Sequence, residues 1–238
     1  MSRAVPLDIP PIHRAGYPFI ALFVIITALL FVFVSPILGW LGVVLSLWCC
    51  WFFRNPMRTV PQGEGLIIAP ADGQVLLIEK APLPPEVIEN LGGKATAKTL
   101  TRVSIFMSVF DVHVNRSPMA GVVAAVLYRP GKFLSAGLDK ASTDNERSTM
   151  IIDLASGQKL VVVQIAGLVA RRILSFVKPG DRLAAGERYG LIRFGSRVDI
   201  FLPDGVNPLV AEGQWAVGGE TIIADVNSKQ LPLKGKRV

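Results

Sequence analysis

At 238 residues, with 51% hydrophobic composition and a net charge of +7, the chain has room for one membrane segment and one compact domain. Its two cysteines, Cys49 and Cys50, are adjacent, which excludes a disulfide-stapled scaffold and any metal-type cysteine spacing. No basic run is interleaved with aromatic residues, so nucleic acid is not an expected partner; the positive balance suits anchoring beside a bilayer and attraction to anionic lipid head groups.

Residues 1–16 read as a loose polar lead containing Pro6, Pro10 and Pro11. From Ala15 to Phe53 there is no charged residue, a block too long for the apolar core of a cleaved signal peptide. One helix through it would be roughly 58 Å long, against a hydrocarbon core of about 30 Å. Ser35-Pro36 divides the block, so residues 17–53 are expected to form a helical membrane hairpin, with short tilted spans over Pro18–Val34 and Ile37–Phe53 or a re-entrant dip into one leaflet. Both ends then return to one side. Arg3, His13 and Arg14 before the block and Arg54 and Arg58 after it make that side cytoplasmic.

Residues 54–65 form a Pro- and Gly-punctuated linker. Beyond it, Gly73–Ile78, Leu100–Val109, Val122–Tyr128, Thr149–Asp153, Lys159–Ile165, Leu191–Phe194 and Val198–Phe201 read as strands, rich in Val, Ile and Leu and bounded by turn residues. Glu86–Leu91 and Leu168–Phe176 suit short helices. Many short strands over residues 66–226 predict a mainly β domain, a sandwich or partly open barrel with few short helices. Residues 227–238 make a basic tail.

Three positions could carry chemistry. His113 follows a strand in a polar cluster ahead of a proline, where an acid or base can project; His13 suits an interfacial position. Asp72, in Ala71-Asp72-Gly73, is either an ordinary Asp-Gly turn or a carboxylate that orients His113. Gly195-Ser196 is either a turn or a self-cutting step, in which the serine hydroxyl attacks the glycine carbonyl and elimination leaves a pyruvoyl group.

Taken together, several segments carry a resemblance. These are Phe52-Phe53-Arg54-Asn55-Pro56, Ala69-Pro70-Ala71-Asp72-Gly73, Phe106-Met107-Ser108-Val109-Phe110-Asp111-Val112-His113-Val114-Asn115, Asn145-Glu146-Arg147, Phe194-Gly195-Ser196-Arg197-Val198-Asp199 and Leu202-Pro203. In this order, over roughly residues 50–226, the chain resembles the short, archaeal-type phosphatidylserine decarboxylases, which are pyruvoyl-dependent proenzymes. The resemblance implies cleavage between residues 195 and 196, with Ser196 as nucleophile and then as the covalent pyruvoyl cofactor. It implies Asp72 and His113 as partners in the cut. It also implies a Schiff base between the ketone and the serine head group of the lipid, loss of CO₂ and release of phosphatidylethanolamine. The partners expected are the anionic phospholipid and the chain's own fragment 196–238; a homo-oligomer stays open.

The chain departs from the longer bacterial members at one point. Those carry two histidines in this stretch, whereas here Arg116 stands at the second place. His113 is therefore assigned to cleavage, with a further use in protonating the product left open. Arg54 and Arg58 emerge where a lipid phosphate would lie, and serve either as its contacts or as plain flanking anchors. No residues are placed for a metal. Glu146 and Arg147 match the family segment without an evident role.

Alternatives are archaetidylserine or another serine-headed lipid as substrate, and a membrane-anchored lipoyl- or biotinyl-like carrier. The carrier resembles Pro179–Glu187 and Asp139-Lys140-Ala141, but its elements fall in the wrong order. A serine hydrolase would need a Gly-x-Ser-x-Gly elbow, and Ser196 has none.

Overall fold

A computed structural model describes residues 9–92, 99–135, 137, 144–168, 172–193, 195–233 and 235. Arg3, Asp139-Lys140-Ala141 and Phe194 lie outside them. The chain divides into two compact units, Met1–Met57 and Arg58–Val238.

In the first unit, α1 (Tyr17–Phe33) and α2 (Pro36–Phe52) form an antiparallel pair. The break is local chemistry. Ser35 caps α2, its hydroxyl accepting the Ile37 N–H at 3.2 Å, and Pro36 occupies the first helical turn, where its missing N–H costs nothing. Small residues let the helices approach. A Cβ on Gly42 would stand 2.6 Å from the Thr27 hydroxyl, and one on Gly39 2.4 Å from the Phe31 ring. Thr27 and Ser46 bond each other across the seam at 3.2 Å. Ile25, Val32, Ile37, Trp40 and Leu47 point outward, exposed. The ends are tied together: the His13 N–H bonds the Phe53 carbonyl at 2.8 Å, and the Asn55 N–H bonds that of Pro11 at 2.7 Å. Arg14–Phe33, at mean hydropathy 2.5, is long and apolar enough to cross a membrane, while the apolar α2 is shorter. This supports membrane association.

The second unit is mainly β, as expected, with one short helix among the described residues, α3 (Pro85–Asn90). Its strands are β1 (Leu66–Ile68), β2 (Gly73–Pro82), β3 (Thr99–Met107), β4 (Val114–Arg116), β5 (Gly121–Arg129), β6 (Arg147–Asp153), β7 (Lys159–Ala166), β8 (Ile173–Ser175), β9 (Arg182–Leu183), β10 (Arg188–Ile192), β11 (Ser196–Phe201), β12 (Trp215–Ala216) and β13 (Ile222–Asp225). An antiparallel sheet of eight runs β12-β2-β3-β11-β7-β6-β5-β9. Two smaller sheets, β4-β10-β8 and β1-β13, cover its inner face.

Strand alternation sorts the side chains. Val198 and Ile200 of β11, with Val103, Ile105, Met107, Val162 and Ala166 on its neighbours, face the main core, which also takes in Tyr189, Ile192 and Ile223 of the smaller sheets. The outer face carries a second apolar cluster, with Ile151, Val161, Val163, Ile165 and Phe201 packed against Val87 of α3.

The helix expected over Leu168–Phe176 is not formed. Residues 169–171 lie outside the description, and Ile173–Ser175 form β8, paired in register with Gly190–Ile192. Cross-strand bonding to β10 satisfies those backbone groups and overrides a weak helical preference. Strands β1, β4, β9, β12 and β13 are too short, at two to four residues, to give a period in the sequence.

Gly73 opens β2 at φ +149°, and a Cβ there would lie 2.1 Å from the Phe106 carbonyl oxygen of β3. Gly73→Ala is expected to destabilise the unit by about 2–4 kcal/mol, through strain at a special backbone angle and a clash with rigid backbone. The urea midpoint of the detergent-solubilised chain measures it.

Candidate active site

β10 is the middle strand of the small sheet and β11 lies inside the large one, so Arg193–Gly195 carries the chain from one to the other. Gly195 sits at φ +61°, the left-handed region that a residue with a Cβ rarely adopts. Space is not the constraint: a Cβ there would stand 4.0 Å from the nearest atom, on Val109.

Ser196 follows as the first residue of β11, opposite Met107 on β3 and Ala166 on β7. It is fully buried, and its hydroxyl donates to the Met107 sulfur at 3.4 Å. A thioether is a weak acceptor, so this hydroxyl is removed from water with little to replace it. Asn115 Nδ2 reaches the same sulfur at 3.7 Å, and Gln164 Nε2 donates to Asn115 Oδ1 at 2.7 Å. Ser196, Met107, Asn115 and Gln164 thus form a buried polar chain on the inner face of the sheet. The sequence reading missed Asn115 and Gln164. Gln164 interrupts Leu160-Val161-Val162-Val163, and a polar residue inside an apolar strand was the available signal.

His113 is buried at the start of β4, and its carbonyl accepts the Ile192 N–H at 3.2 Å. This ties the histidine to the strand that leads into Gly195. Its Nδ1 lies 2.9 Å from the Asp111 main-chain carbonyl. A carbonyl only accepts, so Nδ1 carries the proton and the basic lone pair falls on Nε2. Asp111 is itself fixed by a tight turn, its carboxylate accepting the Ser108 N–H at 2.6 Å.

Asp72 is brought near this group without bonding to His113. One carboxylate oxygen accepts from Arg58 at 2.6 Å and the other from the Gly218 N–H at 2.8 Å. Burial pushes the Asp72 carboxyl above the usual range; Arg58 and Gly218 pull it back, and Asp111 adds to the rise. Arg116 occupies the position of the missing second histidine. It is buried, donates to the Gly186 carbonyl at 2.9 Å, and is lowered to about 10 by burial and by the charges of Arg188 and Arg58. Within the first unit, Arg54 donates to the Trp51 carbonyl at 2.8 Å and lies 4.1 Å over the Trp51 ring.

Asn145-Glu146-Arg147 gains a physical account. Asn145 Nδ2 donates to the Ala166 carbonyl at 2.7 Å, and the Ala166 N–H bonds the Glu146 carbonyl at 2.9 Å. The residue opposite Ser196 is therefore clamped from its far side. Arg147 reaches the outer face, where Nε and Nη2 grip Glu86 of α3 at 2.7 and 2.9 Å, and Thr149 adds a bond at 3.0 Å. On that face, one and three residues after Ser196, Arg197 and Asp199 form a buried two-point ion pair at 2.6 and 3.0 Å. A cavity of about 570 Å³ also opens there, lined by Arg102, Arg129, Arg147, Asp199 and Phe201. It lies across the sheet from the Ser196 side chain.

Burial pushes the Glu86 carboxyl up, but the Arg147 and Thr149 bonds bring it below its ordinary 4.5. A depressed folded pKa contributes stability above the ordinary value and loses it as pH falls through the folded one. Glu86→Gln is therefore expected to cost about 3 kcal/mol at neutral pH, by leaving Arg147 buried with a weaker partner. It should also flatten the stability–pH curve below 4.5, as thermal unfolding across that range measures.

Comparison with known proteins follows the same outline. Residues 45–224 match the family described as phosphatidylserine decarboxylase. A phosphatidylserine decarboxylase proenzyme of Cereibacter sphaeroides is 56% identical over 227 residues, 95% of each chain. One of Ruegeria pomeroyi is 55% identical over 216 residues, 91% of this chain and 95% of the relative.

Proposed function

The chain belongs to the phosphatidylserine decarboxylase family, and on that premise we propose that it cuts itself between Gly195 and Ser196 and then removes CO₂ from the serine head group of phosphatidylserine. It is a carboxy-lyase made as a proenzyme. The observation that carries the assignment is the desolvated Ser196 hydroxyl at the head of a central strand, immediately after a left-handed glycine.

We assign the general base to His113 Nε2, because the Asp111 carbonyl holds the proton on Nδ1. The Ser196 oxygen adds to the Gly195 carbonyl carbon, the C–N bond breaks, and an ester replaces the amide. Loss of the Ser196 Cα proton then breaks the Cβ–O bond and releases the Gly195 carboxylate. Water hydrolyses the resulting imine, ammonia leaves, and the second chain begins with a pyruvoyl group. The surroundings fit that group, since the Met107 thioether beside the Ser196 side chain offers an apolar lining to its methyl. When formed, it supplies a ketone that accepts the electron pair left as CO₂ departs.

Asp72 acts here as a nearby charge, coupled through Asp111 and Arg116, rather than by gripping His113. Arg58, beside Asp72 and Arg116, is the better candidate for the lipid phosphate. Arg54, folded over Trp51, suits a flanking anchor. Basic residues at both tied ends of the hairpin favour a cytoplasmic location for the catalytic unit.

The fragment 196–238 would contribute β11, β12 and β13. With β11 bonded to β3 and β7 over all six of its residues, the two pieces stay together as an α/β heterodimer. Intact-mass analysis is expected to show a large piece and a blocked 43-residue piece (residues 196–238 of the 238) that co-purify until denaturant separates them. Ser196→Ala should give one uncut, inactive chain. His113→Ala should slow the cut by about 10² or more, and Asp72→Asn by about tenfold. A fully active, uncut Ser196→Ala chain would falsify the assignment.

A further inference from the structure

Strands β3 and β7 both run toward the end of the sheet where Ser196 begins β11, and their last residues, Met107 and Ala166, stand on either side of it. Each strand then releases a large apolar side chain into solvent. Phe110, three residues past Met107, is 64% exposed, and Leu168, two residues past Ala166, is 69% exposed. Two strand spacings, about 10 Å, separate the strands that carry them. Single exposed apolar residues need no explanation. Here two flank one buried nucleophile, and cations join them. Arg193 lies two residues before Gly195, and its N–H bonds the Arg172 carbonyl at 3.4 Å. Burial, and after it the charge of Arg172, lowers Arg193, which places two cations in the same neighbourhood. The carboxylate next to Phe110, that of Asp111, turns inward onto the Ser108 N–H.

We propose that Phe110, Leu168, Arg172 and Arg193 form a docking rim by which the Ser196 end of the large sheet rests on an anionic lipid bilayer. The apolar tips enter the boundary between head groups and acyl chains, and the guanidinium groups meet lipid phosphates in the two-point geometry that arginine favours. Charge complementarity selects this occupant. Lipid phosphate complements these cations, whereas a second copy of a chain with net charge +7 would bring like charge to them. The inference rests on the proposed function. If the substrate is a bilayer lipid, this rim lets its head group reach Ser196 while its acyl chains stay in place.

The test uses the full chain with Cys49→Ala and Cys50→Ala, reconstituted in nanodiscs of phosphatidylcholine with or without phosphatidylglycerol. A nitroxide is attached through Phe110→Cys or Leu168→Cys, with Ser156→Cys, in the turn at the opposite end of β7, as control. Both rim labels should become accessible to oxygen and shielded from a nickel chelate when phosphatidylglycerol is present. The control should stay in water, and Arg172→Gln with Arg193→Gln should weaken the shielding. Rim labels as open to nickel as the control would overturn the rim. So would labels immobilised in detergent as protein concentration rises, since that means a second copy covers them. Decarboxylation separates the two ideas. Phe110→Ser with Leu168→Ser should lower the rate on disc-embedded phosphatidylserine by about tenfold, with no change on a monomeric short-chain form. CO₂ release with water-exposed labels removes the rim and leaves the function. Lipid-buried labels with no CO₂ from either form remove the function and leave the rim.

Discussion

Everything at the site depends on β11 being bonded along both edges. Its six residues pair with β3 on one side and β7 on the other, so neither the position of Ser196 nor the direction of its side chain can drift. The same pairing sends Arg197 and Asp199 to the opposite face, where burial would cost several kcal/mol per charge were they not closed on each other at two points. A strand anchored by an ion pair on one face and by Val198 and Ile200 on the other is a rigid mount for the hydroxyl that the proposed cut would use.

Around that mount, the chain is arranged with few strong bonds to the groups proposed to react. The serine oxygen faces sulfur rather than a good acceptor, the glycine before it occupies backbone space other residues avoid, and the histidine ring is set by a carbonyl. Two carboxylates close by are each committed elsewhere, Asp72 to Arg58 and Gly218, Asp111 to Ser108. Water exclusion strengthens every electrostatic effect in such a place, which is the setting that attack on a backbone amide requires.

Much of this was legible in the chain. The uncharged block with its central Ser-Pro step predicts the helix pair within a residue at each end, because capping and missing N–H groups act locally. Six longer strands were visible through their Val and Ile content, while of β10 only Leu191 and Ile192 were read, the expected strand ending at Phe194 outside the described residues. What could not be read depends on contacts far apart in sequence. The residues left Asp72 open between a turn and a partner of His113, and the resemblance chose the partner; the bonds it makes go to Arg58 and to a backbone N–H at residue 218, which the folded β2–β12 edge brings close. Asn145, Glu146 and Arg147 showed a pattern but no purpose, since each acts through an element distant from it in sequence, β7 for the first two and α3 for Arg147. Ile173–Ser175 took the wrong period because β10, and not local preference, decides it.

The double-sided seating of β11 also bears on how long such a molecule can serve. A dissociable coenzyme that is damaged can be exchanged for a fresh one. The pyruvoyl group proposed for Ser196, built into a strand that two neighbours grip, could not be swapped without dismantling the sheet. Wear at that single residue would then be permanent, and capacity would return only with newly synthesised polypeptide.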